Sequence, residues 1–379
     1  MRTVVRWVVV AVVVVHGLIH LLGAAKGLGW AEVDQLSEPI GTAMGIGWLA
    51  AAASVVAAGL LLAARIRWWW AIGAVALVVS QAVIVTSWSD AAAGTAANLV
   101  LLAAVVHGIA SQGPTSSRAE YRRQVTSTLA TSPPAGTAVT EADLEGLPEP
   151  VAAHLRRCGV VGRPRVSNFR ARIRGRIRAG ADEPWMAFAG EQVNTFGSEP
   201  TRVFFIDATM KGLPVDVLHT FVGPSARMRV RVASLLTMTD AAGPEMDRAE
   251  TVTILNDMCL FAPATLLDAS VAWGPVEAHR VTATFTRASQ VVSADLVFDD
   301  DHDLVDFVSD DRYAVSRDGK EFTPQRWSTP VRAHADLGSG RVATVGEGRW
   351  HAPAPEGEFT YIELVVDDLV HNVGHQDSA

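Results

Sequence analysis

Four stretches of almost unbroken apolar sequence, at about 4–25, 41–64, 68–88 and 91–110, precede a long region in which apolar and polar residues alternate. A hydrocarbon core takes roughly 20 helical residues to cross. Each stretch therefore predicts a transmembrane helix, and the first, with three more behind it, reads as a retained span rather than a cleaved signal. Farther on, period-2 alternation predicts strands at 165–178, 185–196, 201–209, 213–222, 226–238, 277–287, 290–299, 303–315, 325–336, 341–351 and 358–369. Their short connections, containing Gly, Pro or Asp, favour antiparallel pairing over the helical crossovers of βαβ units. One helix interrupts the series from about Asp247 to Met258, with Asp247 and Glu250 as its start signal and Val252, Leu255 and Cys259 on one side. The fold class is α + β: a four-helix transmembrane bundle, then a mostly antiparallel, curved sheet or half-barrel with one inserted helix able to plug its concave face.

Composition sets the boundaries between these parts. Ser, Thr, Pro and Gly crowd residues 111–140 around Pro133-Pro134, which reads as a connecting segment whose basic portion, Arg118 to Arg123, lies at a membrane surface. The division is a transmembrane domain over 1–112, a linker over 113–140 and a β-rich soluble domain over 141–379. Thr140 with Asp143 has the pattern of a capping box, and Pro148 to Cys158 predicts a short helix stopped by Gly159.

Charge then adds orientation and removes one class of partner. Residues 1–140 hold eight basic and five acidic side chains, so of the chain's net charge of −8 the part beyond residue 140 carries −11. An acidic soluble part excludes sequence-independent binding to nucleic acid, which rewards clustered positive charge. Arg2 and Arg6, Arg65 and Arg67, and Arg118, Arg122 and Arg123 fall on alternate connections, which puts both termini and the β domain on the cytoplasmic side. Trp7 and Trp68-Trp69-Trp70 sit where an interfacial aromatic belt falls.

Polar groups inside apolar helices are costly and point to function by default. His16 and His20 share one face of the first span, and with Asp90, Glu32 and Lys26 they form a candidate polar cluster; the readings are interhelical hydrogen bonding or a proton, metal or quinone site. Bis-histidine haem with His107 is disfavoured, because at a rise of 1.5 Å per residue His16 lies ~15 Å from the cytoplasmic end and His107 only ~5 Å.

Two strands present arginine faces. Arg170, Arg172, Arg174, Arg176 and Arg178 alternate with smaller or apolar residues, as do Arg227, Arg229 and Arg231. They read either as solvated faces paired across strands to Asp and Glu or as a surface for anionic ligands and lipid headgroups, with Arg172, Arg174, Arg176, Arg229 and Arg231 the candidates.

No GxSxG, HExxH, P-loop or helix-opening GxGxxG occurs. Asp299-Asp300-Asp301-His302-Asp303 lacks calcium-loop spacing and reads as a hairpin turn. Cys158 and Cys259 have no metal spacing, and Cys259 with His219 or His279 is a weaker reading than a small buried thiol. No catalytic residue, metal or cofactor is assigned.

Several segments together carry a resemblance: Leu147-Pro148 through Gly162, Thr253-Ile254-Leu255-Asn256-Asp257-Met258-Cys259 leading to Ala262-Pro263, Asp310-Asp311-Arg312-Tyr313, Trp327-Ser328-Thr329-Pro330, and in the helical half His16 through Gly23 and Trp88-Ser89-Asp90. They are similar to an uncharacterised bacterial family with a domain of unknown function, in which a membrane-spanning N-terminus precedes a β-rich domain. The resemblance brings no assigned chemistry.

Asn256, Asp257, Asp310, Asp311 and Arg312 are polar groups beside apolar neighbours and must find partners. If a pocket opens between sheet and helix, they are expected at its mouth. The leading functional expectation is a membrane-anchored β domain that binds a lipid or other apolar small molecule. The alternatives are a redox or proton-handling protein using His16, His20 and Asp90, and a scaffold docking a partner on its arginine strands.

Overall fold

The computed structural model of the chain describes residues 3–268 and 270–374. Arg2, counted above among the orienting arginines, lies outside them. The chain divides into two compact units.

The first is helical: α1 Thr3–Gly27, α2 Thr42–Ala63, α3 Trp69–Thr86, the short α4 Trp88–Ala91 and α5 Gly94–Gln112. Among the described residues four helices are long and apolar enough to cross a membrane. Their outward faces expose Val8, Leu18, Leu60, Val78 and Leu99, whereas Val13, Val55, Ala76 and Leu101 are buried between them. With both faces apolar, close approach is set by small residues. A Cβ on Gly45 would stand 2.7 Å from the carbonyl carbon of Gly27, so the start of α2 and the end of α1 touch through backbone.

The second unit is the β domain. It contains α6 Ser117–Thr131, α7 Glu149–Arg157, and then β1 Asn168–Ile177, β2 Met186–Thr195, β3 Thr201–Met210, β4 Leu213–Val222, β5 Ser225–Val232 and β6 Leu236–Ala242. The inserted helix α8, Pro244–Phe261, follows. The chain continues through β7 Val271–Glu277, β8 Arg280–Arg287, β9 Gln290–Phe298, β10 Leu304–Ser309, β11 Tyr313–Val315, β12 Phe322–Pro324, β13 Trp327–Ser328, β14 Val331–Asp336, β15 Arg341–His351 and β16 Glu358–His371. Among the described residues fourteen strands make one open sheet in the order β6-β5-β4-β3-β2-β1-β16-β15-β13-β10-β9-β8-β7, with β14 beside β15, and β11 and β12 form a separate ribbon.

Two meanders thus meet where β1 pairs antiparallel with β16, from Phe169 opposite His371 to Ile177 opposite Ile362 across one irregularity at Arg172 and Ile173. The helix α8 joins the two outermost strands in sequence, which carries it across the concave face.

Side-chain alternation in β2 to β4 serves two covered faces. Val193, Val203, Phe205 and Leu218 pack outward on Tyr121, Val125 and Leu129 of α6, while Gln192, Arg202, Phe204 and Val217 point to the opposite, concave side. Within the segment 113–140 read as connecting lies this helix: polar in composition, it carries an apolar stripe at i, i+4 and i+8 that folds against the sheet. The Thr140–Asp143 capping box is present on a turn of 3-10 helix at Glu141–Leu144.

Other boundaries also shift. The span 226–238 is not one strand but β5 and β6, hinged at Ala233 and Ser234 with φ of 54° and 60°. Segments 303–315 and 325–336 each split in two, and β7 begins before the alternation at 277.

Candidate functional site

Between the concave face of the sheet and α8 lies a cavity of about 570 Å3. Its walls are chiefly apolar, with Ile173, Ile206, Val217, Val230, Ile362 and Leu364 among them. Strand periodicity places them there, since each is an inward position of a strand whose neighbours face out. A volume of this size falls within the roughly 300–1,000 Å3 of small-molecule sites.

The α8 side of the cavity is polar. Arg202 on β3, Glu250 and Asp257 on α8 and Gln192 and Asn194 on β2 are all buried. Arg202 Nε donates to Asp257 Oδ2 at 2.8 Å and Nη1 to Glu250 Oε2 at 3.0 Å. Gln192 Nε2 and Asn194 Nδ2 also donate to Asp257 Oδ2, at 2.7 and 2.9 Å. His219 of β4 faces Glu250 Oε1 at 3.3 Å. Burial pushes the Asp257 carboxyl above its ordinary value against the pull of Arg202. For Glu250 burial acts the same way, but Arg202 and His219 overcome it and hold the carboxyl well below the carboxylate range. One guanidinium between two carboxylates keeps a charged knot in an otherwise apolar chamber, held by three donors on Asp257 Oδ2 and one on each Glu250 oxygen.

Beside it stands Arg312. Its guanidinium carbon lies 4.2 Å from the ring centre of Trp327 and 5.6 Å from that of Trp350, and Nη1 donates to Thr253 Oγ1 of α8 at 2.6 Å. Trp327 Nε1 donates to the Tyr361 hydroxyl at 3.3 Å, and the Trp350 and Tyr361 rings lie 5.6 Å apart, which completes an aromatic box.

Of the five residues expected at a pocket mouth, Asn256, Asp257 and Arg312 line the cavity; Asp310 and Asp311 do not. Asn256 Nδ2 donates to Thr329 Oγ1 at 2.6 Å. Asp310 receives both ends of Arg326 at 2.7 and 2.8 Å, and Asp311 binds Arg248 at 2.5 Å and the Ser293 backbone N–H at 2.7 Å.

Sequence reasoning missed Arg202, Gln192 and Asn194 and took Glu250 for a helix-start signal. The strand Thr201–Met210 is covered on both faces, so a polar inward position does not stand out from its alternation.

The arginine strands are engaged with carboxylates. Arg172 meets Asp368 at 3.1 Å, Arg174 meets Asp367 at 2.8 Å, Arg176 meets Glu363 at 2.6 Å, and Arg229 pairs with Glu120 of α6. Arg231 stands opposite Asp216 on β4.

In the helical unit, His16 and His20 converge on Ser80 of α3, at 3.2 and 2.7 Å, and His16 also reaches Asn98 of α5 at 3.0 Å. Asp90 is elsewhere: it accepts from the Ser37 hydroxyl at 2.6 Å and the Glu38 N–H at 3.0 Å. The carboxylate expected in the cluster is thus replaced by a serine and an asparagine.

Among the described residues no group of three His, Cys, Asp or Glu side chains converges as metal ligands. Cys259 is buried and its thiol is pushed far up by burial, opposite to the shift that activates a nucleophile. His219 is turned to Glu250, and His279 to Asp300 at 3.5 Å.

A family of unknown function, DUF6544, matches residues 137–364. The chain belongs to the DUF6544 family. The match takes in β1 to β15, α8 and every cavity residue named above. No curated protein matches the chain. Two solved structures are similar in part. One is a DUF1329 family protein from Desulfovibrio piger, at 10% identity and a TM-score of 0.35, with 59% of this chain and 92% of that one covered. The other is a putative outer membrane lipoprotein-sorting protein domain from Vibrio parahaemolyticus, at 10% identity and a TM-score of 0.30, with 55% and 86% covered. Likeness this distant says nothing of what a DUF6544 chain does.

Proposed function

We propose that this protein is a membrane-anchored binding protein whose β domain holds a lipid-like, apolar ligand between the concave face of its sheet and α8. The four apolar helices are the anchor, and the arginines at alternate connections favour a cytoplasmic β domain. The observation that carries the reading is the cavity of about 570 Å3 with apolar walls and one polar side. A well-packed interior holds few voids larger than a water molecule, and an apolar cavity of this size keeps its hydrophobic walls unfilled until a ligand covers them. Asn256, Asp257 and Arg312 are the polar groups that orient such a ligand.

The test compares the full chain with Val230→Trp, which places an indole in the cavity from the half-buried Val230. Both are purified in the same detergent, extracted with organic solvent and analysed by mass spectrometry. The expected result is a stoichiometric apolar species from the parent chain that is lost from the variant. Indistinguishable extracts from two folded proteins would overturn the proposal.

A further inference from the structure

Three of the cations around the cavity differ in how their charge is met. Arg202 is held between Glu250 and Asp257, and Arg317 pairs with Glu183. Arg312 has no carboxylate within ion-pairing distance among the described residues, although two aspartates precede it directly. Asp310 is committed to Arg326 and Asp311 to Arg248. Both carboxylates of the Arg202 knot are likewise engaged; Glu250 feels the charge of Arg312, but neither carboxylate stands within ion-pairing distance of it.

What Arg312 does have is a platform. The guanidinium is stacked on Trp327, one nitrogen is fixed by Thr253, and Nε is sealed from solvent with no hydrogen-bond partner. Stacking on an aromatic ring satisfies the face of a guanidinium and leaves the in-plane N–H donors for an acceptor. A half-buried cation without an ion-pair partner is an expensive arrangement in a domain that carries −11 and has carboxylates to spare. An anion in the cavity meets that charge through the in-plane Nη donors that Thr253 leaves over, and the planar donor set of arginine suits an acid oxygen.

We infer that the ligand of this cavity is an anionic amphiphile, its chain lying on the apolar sheet face and its acid head paired with Arg312 over Trp327. This rests on the apolar-ligand reading above and specifies its head group. A carboxylate of a fatty acid and a phosphate of a phospholipid share the required chemistry.

The experiment uses the full chain in phosphatidylcholine nanodiscs at alkaline pH and three probes with the same saturated chain and terminal diazirine: the fatty acid, the alkyl phosphate and the alcohol. After irradiation, adducts are located by peptide mass spectrometry. One or both anions should label cavity-wall peptides about tenfold more than the alcohol does, as one charge-assisted hydrogen bond implies, and the stronger anion identifies the source. Arg312→Gln should abolish that preference and leave alcohol labelling intact, which also shows that the variant is folded, while Arg312→Lys keeps part of it. Equal labelling by acid, phosphate and alcohol overturns the head-group assignment and leaves the apolar-ligand reading standing, as does a preference lost in Lys211→Gln rather than in Arg312→Gln. Labelling of the wall by none of the three overturns both.

Discussion

Arg202 Nε and Asp257 Oδ2 meet at 2.8 Å with both side chains almost fully buried, and the same guanidinium reaches Glu250. Removing the arginine strands two carboxylates in an apolar chamber. Arg202→Ala should destabilise the β domain by about 3–5 kcal/mol in urea unfolding. Adding Glu250→Gln and Asp257→Asn to it should recover part of that loss. Strictly additive effects would mean that the three side chains are not one unit.

His154 gives the β domain a pH dependence. It is 1% exposed, its Nδ1 donates to the His302 carbonyl at 2.9 Å, and burial lowers its pKa to about 4. The unfolded chain takes up a proton near pH 6.5 and the folded one resists it. Stability is therefore expected to fall by about 3 kcal/mol as pH drops from roughly 6.5 to 4. In His154→Phe that part of the slope should be missing when unfolding is measured at several pH values across the range.

Asp306 acts in the opposite sense over nearly the same interval. Burial raises its carboxyl to about 6, only partly offset by the Phe307 N–H and Arg349. Ionising it destabilises the fold, so its contribution improves as pH falls from about 6 to 4. Asp306→Asn should melt higher than the parent at about pH 8 and at the same temperature near pH 4. A variant no more stable at high pH would contradict this.

The Gly27–Gly45 approach is testable in the helical unit. Gly45→Val places side-chain atoms where the backbone of α1 already stands. It is expected to lower the thermal midpoint of the purified full chain by several degrees, whereas Gly41→Val, with open space around it, leaves it nearly unchanged.

Apolar length and alternation made the architecture legible, because helices and strands differ in period and both signals here are strong. The errors have local causes. Ala233 and Ser234, in the three-residue connection of residues 233–235, have positive φ without the Gly or Asn that normally announces such a turn, so β5 and β6 read as one strand. In β7, Gly274-Pro275 interrupts the alternation that would have revealed it. Partners were harder to read than positions. His16 and His20 stood out as polar residues in an apolar helix, but Ser80 and Asn98, which receive them, lie 60 to 82 residues away. Arg312 was legible as a polar residue in search of a partner, whereas the stack on Trp327 depends on tertiary packing.

The pairing of β1 with β16 also governs how this domain is made. A ribosome releases β1 some two hundred residues before its neighbour, and closing so large a loop delays the contacts that reward it. Until that last strand arrives, the two meanders stand unjoined and the free flank of β1 lies open. Newly made chains should therefore depend on shielding by a chaperone or on the speed of translation itself.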